Sequence, residues 1–430
     1  MNRKWMLAGG LALVTAAAAP WVVGSVTERQ WRQATDELNT SQSLFELATE
    51  HYDRRYLGAD LAGTLIIQNP QTGETTAIPY HGEVSHRLWG SELRFSLEQA
   101  FGEAAAELFP QEQPRLVVDT RLWGTVLVEL EVPAISVDDP DTGESLNLAE
   151  SYGWAEIGDG GRQVDMDLRW PGLAVRGPGM RVGMDDLRLS QSMARIKGDV
   201  WAGEGEIRMA RLELVDDARA SVALENLTVT SETTSEDGDR RFTSHSELAL
   251  ENVVVDDQSI GPHRLSFELA GAEVDSWNRL TDALGQLQTL GSAMASLAPQ
   301  AQFERQRQVM AQVSEALRQL AGHGISLNMP ELSLQTPAGA MTGSLALRHP
   351  QLDEPARQQM LMVMPGLEGE LELSVPEALL EQYPALRPQL LPAIEQGLLV
   401  PDGNRLRLKA HLQDLEVDIN GQVWPLPPMI

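Results

Sequence analysis

Apolar spacing changes character several times along this chain of 430 residues. From Trp5 to Val26 no residue is charged and most are apolar, with Arg3 and Lys4 just ahead. At about 1.5 Å per residue such a run makes a helix roughly 33 Å long, enough for a hydrocarbon layer of about 30 Å. Trp5 and Trp21 fall towards its two ends, where interfacial aromatics sit, and Leu11, Leu13, Val14, Val22 and Val23 supply apolar surface between and beside them. The pattern predicts a transmembrane anchor over residues 5–26 behind a cytoplasmic tip of residues 1–4. Ala16 to Ala19 also offer the small residues that a signal peptidase recognises, so cleavage after Ala18 or Ala19 is the competing expectation. Either way the remainder is exported, and the charges ahead of the run place it in the periplasm, on an inner-membrane tether.

Beyond the run the period falls to two. Leu61, Gly63, Leu65 and Ile67 alternate with Ala62, Thr64, Ile66 and Gln68, and Val126, Val128, Leu130 and Val132 alternate with more polar neighbours. Both read as strands. Each is followed by a similar turn formula, Asn69-Pro70-Gln71-Thr72-Gly73-Glu74 and Asp139-Pro140-Asp141-Thr142-Gly143-Glu144. There Asn or Asp bonds the backbone ahead of it, Pro sets φ, and Gly takes the positive φ that closes the loop. The acids of the second turn do not fall at the spacing of a calcium loop.

A shorter unit recurs seven times, an apolar residue, two intervening positions, then two apolar residues in alternation. The copies begin at Val132, Met184, Met209, Leu224, Leu250, Met329 and Leu412. In the Leu224 and Leu250 copies the alternation shifts phase by one at a Glu-Asn pair, as a β-bulge would. Bulges at similar places curl an antiparallel sheet with one apolar face inward.

From Ser276 to Gly322 the period becomes helical. Trp277, Leu280, Leu284, Leu287 and Met294 form one stripe; after Pro299, Phe303, Val309, Val313, Leu317 and Leu320 form a second. Both are expected to cover a sheet. A third helical stretch, Pro376 to Gly397, is interrupted by Pro384, Pro388 and Pro392, and an alanine-rich helix is expected near Leu97 to Phe109. Asn420-Gly421, between strand-like flanks, predicts a hairpin whose last strand is blunted by Pro425 and Pro427. The fold class that follows is α+β and β-dominated, a transmembrane helix followed by an elongated, curved antiparallel sheet with repeated strand units and covering amphipathic helices. Its regions run 27–275 (β-rich, with an N-terminal helix and repeats), 276–322 (helical hairpin-like insertion) and 323–430 (β-rich, with the proline-interrupted helix).

Charge narrows the partners. Lys and Arg number 33 against 62 Asp and Glu, a net charge of -29. No basic cluster exists to displace counterions from phosphates, so nucleic acid is not expected, and the same charge opposes docking flat on anionic lipid. With no cysteine there is no disulfide framework, thiolate nucleophile or sulfur zinc site.

Several elements together resemble a known family. The apolar segment ending in Trp21 and Gly24 with Glu28 beyond it, Leu38-Asn39, the stretch Tyr52-Asp53-Arg54-Arg55-Tyr56-Leu57-Gly58 leading into the first strand, and Asn420-Gly421 are similar to the YdgA-like bacterial proteins, over nearly the full length. That family usually continues its tyrosine-arginine stretch with a glycine and an aromatic, where Arg55-Tyr56-Leu57 stands here. The resemblance implies an inner-membrane-associated protein and carries no catalytic residue.

The residues themselves point the same way. His51, His81, His86, His245, His263, His323, His349 and His411 are scattered without the i, i+4 pair of a hydrolytic zinc site. His81 and His86, five apart on one strand, face opposite sides. Gly198 to Gly205 lacks the lysine and following helix of a phosphate loop and reads as bulges or close backbone approaches. No Gly-x-Ser-x-Gly elbow is present. The expectation is a non-enzymatic scaffold or interaction protein of the envelope, without cofactor or metal, partnered by the inner-membrane bilayer and by a second copy or another envelope protein. The alternatives are a lipid-binding or lipid-transfer protein with an apolar β-groove for phospholipid, and an envelope enzyme acting on a polymer.

Overall fold

The structure is a computed structural model. It describes the chain except residues 1–22, 30, 34, 37–38, 40–44, 69–74, 97–112, 140–141, 217–220, 257, 295–298, 360–362, 385–386 and 427–430. The described residues form 23 strands, antiparallel in every pairing given below. They divide into two compact units, Met1–Ser192 with Leu214–Ala218, and Met193–Glu213 with Arg219–Ile430.

In the first unit β1 (Phe45–Arg54), β2 (Gly58–Gln68), β3 (Thr75–His86), β4 (Gly90–Ser96), β5 (Arg115–Arg121) and β6 (Val126–Val132) pair in sequence order. β7 (Ile135–Asp138) and β8 (Ser145–Leu148) form a small hairpin, and β9 (Ser151–Gly158) returns to β6 before β10 (Gln163–Gly177) pairs with both β8 and β9. The period-two pattern puts like residues in register. Tyr52, Leu61, Gly82, Phe95, Leu116, Leu130, Gly153 and Leu168 are successive partners across eight strands. Helical residues 23–29 and 31–33 accompany this sheet. Ala59, Leu61, Val84 and Leu93 are buried there with Trp31, Tyr52, Tyr80, Phe95 and Val118 against them.

β11 (Met180–Lys197) and β12 (Val200–Asp216) each carry residues of both units. In the second unit the order is β13 (Val222–Glu236), β14 (Arg241–Val255), β16 (His263–Glu273), β17 (Ile325–Thr336), β18 (Gly339–His349), β19 (Glu368–Pro376), β21 (Arg405–Gln413), β22 (Glu416–Ile419) and β23 (Gln422–Pro425). Short β15 (Gln258–Ile260) and β20 (Val400–Asp402) pair with β14 and β21. Between β16 and β17 stand α1 (Val274–Met294) and α2 (Pro299–Gly322).

Much of the expected outline is present. β2 and β3 close to Gln68 and Thr75, flanking the first turn, whose residues 69–74 lie outside the described set, as does the alanine-rich stretch 97–109. In the second turn Asp139 N donates to Glu144 O at 2.8 Å and Gly143 has φ +76°. The last hairpin turns on Asn420 and Gly421, with φ +51° and +87°. Two expectations change. The Leu224 and Leu250 copies oppose one another in β13 and β14, with Glu225 opposite Asn252 and Leu227 opposite Leu250. Matched irregularities on both strands cancel, so the register holds without an offset. The position before the second apolar residue takes a left-handed φ at Asp186, Asn226 and Asp414, which short polar side chains tolerate. A one-residue offset does occur at the Met329 copy, between Met329 and Leu332.

The second change concerns the helical stripes. Leu280, Val309, Val313 and Leu320 are buried as expected, but Leu284, Phe303 and Leu317 are exposed. Their places at the interface go to Ala283 and Ala316, beside Phe242, Leu269, Ala272 and Val274, because small side chains bring the helices close to each other and to the strands. Trp277 meets Phe242 edge-on at 5.6 Å.

The expected anchor residues Trp5, Leu11, Leu13, Val14, Trp21 and Val22 lie outside the described residues. Among the described residues no helix is long and apolar enough to cross a membrane, so the transmembrane part of the expected fold is not supported here.

Candidate functional site

Six residues of the family-like pattern, Gly24, Glu28, Asn39, Tyr52, Arg54 and Gly58, lie in the first unit, and several of them act on partners distant in the sequence. Val23 is buried and Gly24 lies on the imidazole of His86, where a Cβ would stand 2.6 Å from Nε2. Glycine is therefore required for the helix to approach β3 this closely. One turn on, Thr27 Oγ1 bonds Ser91 Oγ at 2.7 Å, and Ser91 Oγ bonds His86 Nδ1 at 2.8 Å. Thr120 Oγ1 donates to Ser91 O. Glu28 bonds Arg32 at 2.8 Å and faces Arg54 at 3.7 Å. Trp31 Nε1 donates to Thr49 Oγ1 at 3.0 Å and its ring meets Phe95. Asn39 then completes the attachment. Its Oδ1 accepts from Leu47 N at 2.8 Å and its Nδ2 donates to Leu47 O at 3.1 Å, so one carboxamide takes the place of a neighbouring strand on β1.

Burial sets the electrostatics. The Tyr52 hydroxyl is pushed up to about 12, first by burial and then by the charge of Glu28. His86 is held below its ordinary value, first by burial and then by Arg54. A serine bonded to a histidine resembles a nucleophile with its base, yet Ser91 is 1% and His86 7% exposed. Water and substrate do not reach the pair. Its geometry fixes the helix to the β3–β4 hairpin.

The same hairpin shows what the sequence reading missed. Arg55-Tyr56-Leu57-Gly58, Arg87-Leu88-Trp89-Gly90 and Arg121-Leu122-Trp123-Gly124 are three copies of one tetrapeptide, and they are the turns of β1–β2, β3–β4 and β5–β6. Arg55 N donates to Gly58 O and Arg87 N to Gly90 O, both at 2.7 Å. His86 N donates to Leu57 O and Leu122 N to Trp89 O, joining the turns side by side. Gly58 and Gly90 abut the carbonyls of Val84 and Thr120, leaving no room for a Cβ. The recurrence of Arg, two apolar residues and Gly at spacings of 32 and 34 residues was the signal available in the sequence.

Asn420 and Gly421 stand elsewhere, in the second unit, at a groove of about 720 Å³. One row crosses its floor, Glu268, Asn328, Ala346, Glu370, His411 and Asp418, polar at every position except Ala346. Lys409 pairs with Glu372 at 2.8 Å, which holds that carboxyl below its usual range, and Asn328 donates to Glu268 at 2.9 Å. Among the described residues no group of three or more His, Asp or Glu is arranged to hold a metal ion.

A family model for a bacterial protein of unknown function, DUF945, matches residues 2–427. The chain belongs to the DUF945 family. No curated protein and no solved structure matches it. In this DUF945 member Gly24, Glu28 and Asn39 hold the N-terminal segment to the first sheet, Gly58 closes the β1–β2 turn, and Asn420 and Gly421 close a separate hairpin.

Proposed function

We propose that the protein is a non-enzymatic component of the bacterial envelope, of the YdgA-like kind, tethered to the inner membrane by the apolar run that begins at Trp5, with its β-rich body in the periplasm as a scaffold. Of the expected anchor over residues 5–26, Val23 is buried and Gly24 lies on His86, so the run's last residues belong to the body rather than to the bilayer. The observation that carries this reading is where the family-like residues act. Gly24, at the end of the apolar run, and Glu28 and Asn39 beyond it seat this part of the chain onto the first sheet, with Thr27 and Trp31 adding hydrogen bonds between them. Such a seating transmits the position of a tether to the body without a free linker. Fractionation of full-length protein tests it. The chain should resist an alkaline carbonate wash, dissolve in detergent, and be digested in spheroplasts but not in intact cells. Release by buffer or carbonate would end the reading.

Phospholipid binding is the second reading, and one specific observation favours it. Leu269, Leu327, Leu347, Gly369, Leu412 and Val417 form an apolar row through successive partners, and Met329, Leu345, Leu371, Ala410 and Ile419 form a parallel one. Apart from Leu269 and Gly369, these side chains stay half-buried. A curled sheet with this face inward shelters acyl chains. Mass spectrometry of gently extracted protein should then find phospholipid at a fixed stoichiometry, and a lipid-free spectrum would remove this reading.

A further inference from the structure

The three joined turns carry more exposed apolar surface than their role in the fold requires. Tyr56 is 54%, Leu57 63%, Leu88 49%, Trp89 67% and Trp123 62% exposed, all at one end of the first sheet. Tryptophan and tyrosine with leucine are the side chains that favour the boundary between headgroups and acyl chains. The arginine beginning each tetrapeptide adds a long apolar stem with a charged tip that reaches phosphate. Arg121 lies over the Trp123 ring at 5.7 Å, Arg55 pairs with Asp60, and Arg87 pairs with Glu92 and faces Asp119 at 3.6 Å. Charge at this end is therefore balanced locally, in a chain whose net charge is -29. The next turn along, Asp159-Gly160-Gly161-Arg162, is polar, so among the described turns at this end the exposed apolar side chains are those of the three tetrapeptides.

The route of the chain identifies the occupant. Gly24 touches His86, the residue immediately before the Arg87 tetrapeptide, and the helix proceeds from there towards Thr49 and Leu47, away from the turns. Residues 1–22 therefore join the body at the end where the turns are. The uncharged run Trp5 to Val26 overlaps this contact, so no linker separates the tether from the turns.

We propose that the Arg55, Arg87 and Arg121 turns form a docking surface for the phospholipid bilayer, seating the first sheet edge-on at the membrane beside the point where the tether enters. This rests on the tether reading and adds a second, independent contact to it. Edge-on seating presents the balanced tips to lipid and turns the acidic sheet faces away. Flat docking, which the overall charge opposes, is avoided.

The absence of cysteine makes the test direct. Single-cysteine variants of the full chain, Leu88→Cys, Trp123→Cys, Leu13→Cys and Gln306→Cys, are nitroxide-labelled and reconstituted in phosphatidylethanolamine and phosphatidylglycerol liposomes. Collision with oxygen is compared with collision with a water-soluble nickel chelate. Positions 88 and 123 should favour oxygen, at headgroup to upper acyl depth, and exposed position 306 should favour nickel. Nickel-accessible labels at 88 and 123 with a lipid-buried label at 13 overturn the docking surface and leave the tether standing. Labels at 88 and 123 shielded from both reagents mean that a second copy covers the turns, which also overturns the proposal. A water-exposed label at 13 with oxygen-favoured turns removes the tether and retains the docking surface. Circular dichroism of each labelled chain establishes that the fold is kept.

Discussion

Helical residues 23–29 and 31–33 meet the first sheet through a chain of hydroxyls, an imidazole and an indole beside the buried Val23 and the Trp31 ring, whereas α1 and α2 are held in the second unit mainly by leucine, valine and alanine, with Asn278 adding hydrogen bonds to the β11–β12 turn. The two attachments do different work. Apolar burial is non-directional and scales with area, so the helical hairpin contributes stability. Hydrogen bonds contribute little net energy each but are costly to misplace, so the N-terminal attachment fixes register and direction. A segment that continues into an apolar run needs direction more than it needs added stability.

Substitutions can break this contrast, beginning with the largest effect. Leu320→Ala at the α2 interface should destabilise the second unit by about 3 kcal/mol, read as a lower denaturant midpoint with helical signal lost first. A loss under about 1 kcal/mol would mean that the hairpin is not held by burial. Asn39→Ala should cost the first unit about 2 kcal/mol, since both backbone groups of Leu47 lose their partner, and hydrogen exchange at Leu47 should accelerate while the second unit is unchanged. Gly24→Val should cost a similar or slightly smaller amount by forcing the helix from His86.

Acid sharpens the comparison further. Because His86 is held below the ordinary 6.5, the unfolded chain binds its proton first, and stability of the first unit falls as pH drops through about 6.5. Thermal unfolding at pH 7.5 and 5.0 should show this, and His86→Gln should flatten that part of the profile. Unchanged pH dependence in the variant would remove His86 from the account. Glu372→Gln, at an exposed pair with Lys409, should move the midpoint by less than about 0.5 kcal/mol.

Sequence patterning revealed those features governed by local periodicity. Leu61 to Ile67, the Asp139 turn, the Asn420-Gly421 turn and the paired helices all follow from two- or 3.6-residue repeats and from turn chemistry. What escaped depends on partners distant in the chain. Leu284 and Leu317 sit on an apolar stripe yet face outward, because close approach by alanine decides which side is buried. Glu225-Asn226 reads as an offset until Glu251-Asn252 is found opposite it. Asn39 gives no local sign that its carboxamide serves Leu47, and the three arginine tetrapeptides acquire meaning only when the turns are side by side.

An Asn-Gly step ages when the glycine nitrogen attacks the asparagine side-chain carbonyl, expelling ammonia and leaving a succinimide that hydrolyses largely to isoaspartate. Here Gly421 N is engaged by Asp418 Oδ1 at 2.7 Å. The Asn420 carboxamide is held by Lys409 N at 3.0 Å, Leu398 O at 2.9 Å and Arg407 O at 3.3 Å. Deamidation at this step is thereby suppressed while the β22–β23 hairpin is closed. Isoaspartate accumulating at position 420 in stored protein serves as a clock for how often the C-terminal hairpin comes open.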